Sequence, residues 1–384
     1  MKIVSVDLCT LSAGDINFSS LEALGEVTYY DALTPGGLIS AAEGADALLV
    51  NKAQVDEKLV AACPNLKYVG TYATGYNNID LAACTSRGIA VCNVPGYSTH
   101  AVSQHVFALL LCMCGAIDKY SASVAKGDWK RAKTFSYMPW QTRELYGSTF
   151  GVYGYGNIGR AVARIAEAFG MKVIVCTRTK PADCPYELVT QDEIFARSDV
   201  LSLHCPLTEQ TKGIVNARTL SLMKRTAILV NTARGGLVDE AALAEALNSE
   251  RIAGACLDVI ETEPMKKDCP LFGAKHILIT PHIAWVPRET RQRLVDAVAE
   301  NLRRFIQGDP INVVNKLVAG CLGNFNSTPH FALFIQKKGM VAGARIVPRA
   351  RHYIMEYLFL WVMLVFRLFI FLLSPRSKAH FTHT

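Results

Sequence analysis

The sequence predicts an α/β protein built on two doubly wound parallel sheets. Short apolar runs suited to strands alternate with helical patterns over residues 1–98, a second series of the same kind opens near Ser148, and 384 residues suffice for two or three ordinary domains. Hydrophobic residues make up 51% and charged residues 19%, which argues against a disordered chain. The opening Met1-Lys2-Ile3-Val4-Ser5-Val6 reads as a strand and not as a secretory leader. The 12 cysteines show no C-x-x-C spacing, so we expect a cytoplasmic protein with reduced thiols and no metal site.

The net charge of +7 is unevenly spread. After Asn315 there are nine Lys/Arg against the single acid Glu356, and before it 31 basic residues against 32 acidic. The near-neutral main body lacks the footprint of a nucleic-acid binder.

Strands are expected at residues 2–6, 47–50, 68–71 and 89–92, and in the second series at 149–154, 172–177, 200–203, 227–230, 253–257 and 276–279. The apolar run after His100, AVSQHVFALLLCMCGAI, falls short of the about 20 residues needed to span a bilayer and contains Gln104 and His105, so it predicts a buried helix. A charged amphipathic helix follows Pro287, and INVVN ends this region at Asn315.

Gly154-Tyr155-Gly156-Asn157-Ile158-Gly159 follows one expected strand and opens a helix, the context in which G-x-G-x-x-G binds a dinucleotide. Gly154 would permit the tight turn, Gly156 the approach of a pyrophosphate, and Gly159 close helix–strand packing. At the end of the next strand an NAD site usually carries a carboxylate for the ribose, whereas this chain has Thr177-Arg178-Thr179-Lys180. A hydroxyl and two cations suit a 2′-phosphate, which favours NADP over NAD, the alternative being that Arg178 and Lys180 are only solvated.

GYGNIG, LHCPLT (203–208), NTARGGLVDE (231–240), LDVIETEP (257–264) and TPHIAW (280–285), taken in that order, resemble the D-isomer-specific 2-hydroxyacid dehydrogenases over residues 1–315. NKAQVD, ATGYNNID and VPGYSTHAVSQH are most similar to the glycerate dehydrogenase or hydroxypyruvate reductase branch. The resemblance implies two Rossmann-like domains with a cleft between them: a substrate domain of residues 1–98 and 287–315, and an NAD(P) domain of 99–286 inserted into it. It also implies a homodimer with the helix after His100 at the interface.

The resemblance assigns catalysis to Arg234, Glu263 and His282. Hydride transfer to a 2-keto acid leaves charge on the carbonyl oxygen, which a protonated His282 would neutralise. Glu263 would orient the ring and favour its charged form, and Arg234 would grip the substrate carboxylate. Singly, Arg234 reads equally well as a surface ion-pair residue, Glu263 as a helix-start acid and His282 as a satisfied histidine; their order after a nucleotide turn favours catalysis. By the same matching, Thr99, Thr232, Ala233 and Asp258 would lie near the nicotinamide half, and His204, Cys205, Pro206 and Thr211 would wall the cofactor cleft. The substrate would meet the loop Ala73-Thr74-Gly75, Lys52 and Trp285. A turn, a solvated lysine and an interdomain packing residue are the plainer alternatives for these three.

The tail departs from the family pattern. Residues 316–350 read as a basic linker, and 351–384 contain an apolar run, 353–373, long enough to span a membrane. The competing explanation is an extension of no selected function, favoured because the compositional break coincides with the end of the family pattern. The expected activity is reduction of hydroxypyruvate and glyoxylate. The rivals are another 2-keto acid, such as pyruvate or phosphohydroxypyruvate, and a dinucleotide-sensing corepressor-like binding protein.

Overall fold

The computed structural model describes residues 1–179 and 181–316. The expectations for Lys180, for the linker beyond Lys316 and for the apolar run 353–373 lie outside the described residues.

Two parallel sheets carry the fold. The first contains β1 (Lys2–Ser5), β2 (Glu26–Tyr29), β3 (Ala47–Val50), β4 (Tyr68–Thr71) and β5 (Ala90–Cys92), in the order β2-β1-β3-β4-β5. The second contains β6 (Thr149–Tyr153), β7 (Lys172–Cys176), β8 (Glu187–Leu188), β9 (Val200–Leu203), β10 (Ile228–Asn231), β11 (Gly254–Leu257) and β12 (Ile277–Ile279). Its order is β12-β11-β10-β9-β6-β7-β8. The Val/Ile/Leu runs of β3, β9 and β10 are buried along their whole length, as central strands covered on both faces require.

Each sheet reverses its strand order once, between β1 and β3 in the first and between β6 and β9 in the second. Crevices at the carboxyl ends of such reversals are the usual ligand sites of open α/β sheets. They lie here at Asp7 and Asn51, and at Gly154 and His204.

The helix Thr99–Gly115 buries Val102, Val106, Leu109 and Leu110. It does not run on to residue 117 as one piece: Ala116 adopts φ 48, and Ile117–Ala125 leaves at 59°. Among the described residues no single helix is long and apolar enough to cross a membrane, although this bent pair passes by length and composition. The helix Arg288–Ile306 buries Leu294, Val298, Leu302 and Phe305, and sets the Phe305 ring 5.0 Å from that of Tyr68 in β4. The chain then closes the first sheet's edge. Val314 donates to the Val91 carbonyl at 2.8 Å, and the Asn315 side chain accepts from Val91 N–H at 2.9 Å and donates to the Ile89 carbonyl at 2.9 Å.

Candidate active site

Gly154, at φ 97, directly follows β6, and a Cβ there would lie 2.6 Å from the Cys205 nitrogen. A Cβ on Gly159 would lie 2.1 Å from the Gly154 carbonyl oxygen, so packing alone dictates both glycines. A Cβ on Gly156 would meet nothing within 4 Å. Gly156 is the N-cap of the helix Asn157–Ala168 and offers no side chain to its first-turn N–H groups. Tyr155 is buried beneath the Arg160 guanidinium at 4.6 Å, and Arg160 grips Asp183 through two bonds of 2.8 and 2.9 Å. The Asn157 amide and Thr99 both lie against Gly96, and Thr99 donates its hydroxyl to the Gly96 carbonyl at 3.0 Å. Ile158 is half-buried in the first turn of this helix.

Across the crevice, His204 N–H donates to the Tyr153 carbonyl at 2.7 Å, and its ring meets the Ser202 hydroxyl at 2.9 Å. Burial pushes the His204 imidazole down to about 3 and the Cys205 thiol up to about 11, so both are neutral. The Thr211 hydroxyl donates to the Pro206 carbonyl at 2.7 Å and accepts from Thr208 N–H at 2.8 Å, which fixes the shape of this loop. The Thr232 hydroxyl, at the end of β10, is buried without a partner among the described residues. A buried orphan hydroxyl and a glycine facing open space are what a dinucleotide leaves unsatisfied when it is absent, so the donor set fits one. At the end of β7, Thr177 is half-buried while Arg178 and Thr179 are exposed, and Arg178 makes no bond among the described residues.

Asn231, fully buried, stitches the turn after β10. Its amide donates to the Arg234 carbonyl at 2.9 Å and its oxygen accepts from Ala233 N–H at 3.0 Å. Gly235 follows, where a Cβ would strike the Ile260 backbone at 1.9 Å. Arg234 is thereby projected from a tightly packed turn. Its Nη1 donates to the Ala233 carbonyl at 2.7 Å, and its Nη2 lies 2.7 Å from where a Cβ on Gly75 would stand. The loop 73–75 is pinned by its carbonyls, Ala73 accepting from Val94 N–H at 2.9 Å and Thr74 from the Asn93 amide at 2.7 Å. The N–H groups of Ala73, Thr74 and Gly75 bond to no described residue. Three unbonded donors beside a guanidinium match the charge and geometry that a carboxylate requires.

His282 stands on the loop after β12 at φ 55, held there by its own N–H, which donates to the Asp258 and Thr280 carbonyls at 2.9 and 3.0 Å. Its Nδ1 lies 2.6 Å from Glu263 Oε2, while Glu263 Oε1 accepts from Ile260 N–H at 3.2 Å. Burial raises the Glu263 carboxyl, but the bond and charge of His282, the Ile260 N–H and the nearby Lys52 outweigh it and hold the group below its usual value. The ring's Nε2 bonds to no described residue, and Trp285 donates its indole N–H to the His282 carbonyl at 3.1 Å.

Asp258 is 1% exposed, and its carboxylate is engaged by this loop. Oδ1 accepts from the Thr280 hydroxyl at 2.6 Å and Ile283 N–H at 2.9 Å, and Oδ2 accepts from Ala284 N–H at 2.9 Å. His105 reaches in from the helix Thr99–Gly115, 2.9 Å from the Thr280 hydroxyl and 3.4 Å from Asp258. Burial raises Asp258, yet the bonds from His105, Thr280 and the two N–H groups keep it below its usual value. Asp258, expected near the nicotinamide half, and His105, expected on a buried helix, both bond to the loop that carries His282. Asn231 and Thr280 were not singled out from the sequence, although each sits inside a quoted motif.

The model of the D-isomer specific 2-hydroxyacid dehydrogenase NAD binding domain matches residues 107–284. A hydroxypyruvate reductase of Blautia hydrogenotrophica is 43% identical over 324 residues, covering 82% of this chain and 100% of that protein. A glycerate dehydrogenase of Methylorubrum extorquens is 39% identical over 315 residues, covering 82% of this chain and 98% of that protein. Among solved structures, the D-lactate dehydrogenase of Aquifex aeolicus complexed with NAD and lactic acid superposes with a TM-score of 0.71 at 29% identity, over 82% of this chain and 100% of that one.

Proposed function

The chain belongs to the D-isomer-specific 2-hydroxyacid dehydrogenases, oxidoreductases that use a nicotinamide cofactor, and from that premise we propose that it reduces hydroxypyruvate, and also glyoxylate, to the corresponding 2-hydroxy acid. The observation that carries this reading is the His282–Glu263 pair at 2.6 Å, a histidine beside the carboxylate that would keep its ring charged. A nicotinamide held there would supply the hydride to the keto carbon. Arg234 and the N–H groups of Ala73, Thr74 and Gly75 hold the substrate carboxylate and fix which face of the carbonyl is presented. His282 delivers its Nε2 proton to the carbonyl oxygen as charge develops there, and Glu263 balances the charged ring beforehand. In D-glycerate oxidation His282 takes the proton back. Lys52 and Trp285 flank the substrate in this reading.

A nicotinamide dinucleotide would be held by Gly154, Tyr155, Gly156, Asn157, Ile158 and Gly159, with Thr177 and Arg178 toward its ribose, Thr99, Thr232, Ala233 and Asp258 toward its nicotinamide half, and His204, Cys205, Pro206 and Thr211 walling the crevice. Arg178, which makes no bond among the described residues, and the lack of a carboxylate at residues 177–179 support a preference for NADPH. The packing of Arg288–Ile306 and Asn315 on the first sheet supports a substrate domain of 1–98 and 287–315 around a cofactor domain of 99–286. A homodimer is supported by the segment after Ala125, where Trp129, Phe135, Met138 and Tyr146 are exposed, Phe135 at 90%.

Steady-state kinetics with hydroxypyruvate, glyoxylate, pyruvate and phosphohydroxypyruvate, each with NADH and NADPH, test the reading. Hydroxypyruvate should give the highest kcat/KM. A preference for pyruvate or phosphohydroxypyruvate would overturn the substrate assignment, and a wide margin for NADH would overturn the role of Arg178.

A further inference from the structure

The crevice in the first sheet, between β1 and β3, is filled by the chain itself. Asp7 follows β1 in left-handed backbone at φ 66 and is 8% exposed. A single oxygen, Oδ2, accepts three successive N–H groups from the turn after β3: Asn51 at 2.9 Å, Lys52 at 2.7 Å and Ala53 at 2.8 Å. Converging N–H groups at a strand-order reversal form the kind of nest that binds an anion, and the anion here is an internal carboxylate. The turn is tied further on both sides. Asn51 donates its amide to the Thr10 hydroxyl at 2.7 Å, and the Asn78 amide donates to the Ala53 carbonyl at 2.7 Å. Asn78 belongs to the loop that carries Gly75, against which Arg234 packs.

This bonding acts on one exposed side chain in particular. Lys52 is the middle residue of the trapped turn; its main chain is fixed while its side chain is free in solvent. Its charge is felt at Glu263, on the other side of the cleft. A long, flexible ammonium loses much entropy when it must find one place, and a fixed Cα removes part of that cost.

We propose that Asp7 is a positioning residue: by gathering the N–H groups of residues 51–53 it holds Lys52 at the mouth of the active-site cleft, where the ammonium draws in the anionic substrate. The inference rests on the 2-keto acid reading of the site. Asp7 acts on substrate capture and has no part in the chemical step, so its loss appears in KM and not in kcat.

The test uses Asp7→Ala, Asp7→Asn, Lys52→Met and the Asp7→Ala/Lys52→Met double variant of the full chain, with hydroxypyruvate as substrate. Asp7→Ala and Lys52→Met should each raise KM about 10-fold with kcat within about 2-fold, and the double variant should be no worse than Lys52→Met alone. KM effects that multiply in the double variant, or a loss confined to kcat, would overturn the proposal. If Asp7→Ala does not fold, Asp7→Asn decides, because it keeps the shape and one acceptor oxygen: a KM raised about 3-fold supports the proposal and an unchanged KM overturns it. Amide hydrogen exchange at residues 51–53 needs no substrate. Slow exchange in the parent and fast exchange in Asp7→Asn upholds the Asp7 clamp even if no 2-keto acid is turned over, whereas equal exchange removes the clamp whatever the enzyme reduces.

Discussion

The two lobes face the cleft with different chemistry. The second presents side chains, Arg234, Glu263 and His282, each on a loop locked by buried groups such as Asn231 and Asp258. The first presents main chain, the free N–H groups of 73–75, with Lys52 the one cation that it adds in the proposed site. Their strand-order crevices differ in the same way: at Gly156 the second is open, whereas Asp7 closes the first. The fold makes two anion-binding crevices, and this chain keeps one for a ligand and spends the other on its own rigidity. The proposed function gives the side chains of one lobe the proton transfer and the main chain of the other the holding of a charge, so damage to the two lobes should read out differently.

The largest effect belongs to the second lobe. His282→Asn should lower kcat by about 10²–10⁴-fold in steady-state assays, the usual worth of a positioned general acid. Asparagine tolerates the positive φ at this position, so the melting temperature should stay near that of the parent. Retained turnover in a folded variant would take the proton-transfer role away from His282.

The same operation on the first lobe should leave chemistry alone. Gly75→Ala would place a methyl group 2.7 Å from Arg234 Nη2, the mobile end of a side chain that can swing aside. We expect KM for hydroxypyruvate to rise about 10-fold while NAD(P)H affinity, read by fluorescence titration, is unchanged. A fall in cofactor affinity instead would mean that Gly75 serves the cofactor and not the substrate carboxylate.

This contrast also explains what the sequence disclosed. The buried strands β3 (ALLV), β4 (YVGT) and β9 (VLSL) were read at their observed bounds, because strands covered on both faces are mostly apolar. The edge strands β2, EVTY, and β8, of only two residues, escaped notice, since one is half-exposed and polar and the other too short to show a pattern. Likewise, a histidine, an acid and an arginine announce their chemistry by residue type. Free N–H groups do not, and neither do Asp7 and Asn231, whose value depends on which backbone folds over them.

At the far end of the second lobe, Arg178→Ala should lower kcat/KM for NADPH about 10-fold and leave NADH within about 2-fold, because only the phosphorylated ribose needs the guanidinium. Equal losses with both cofactors would assign Arg178 to general electrostatics and leave the 2′-phosphate without a partner.

The smallest effect falls on stability and not on turnover. In the unfolded chain a histidine takes up a proton below about 6.5, whereas the buried His204 resists protonation until about 3. Between those values the unfolded chain binds the extra proton, so the stability His204 contributes is full above the upper value and declines as pH falls through the window. At pH 5 the loss is about 2 kcal/mol at most. The His204→Gln variant should therefore lose less stability than the parent between pH 8 and pH 5, measured by urea unfolding, while kcat at neutral pH changes little. Parallel pH slopes in the two proteins would mean that protons reach this imidazole in the folded state, and that the wall of the second crevice is wetter than its packing against Tyr153 and Ser202 implies.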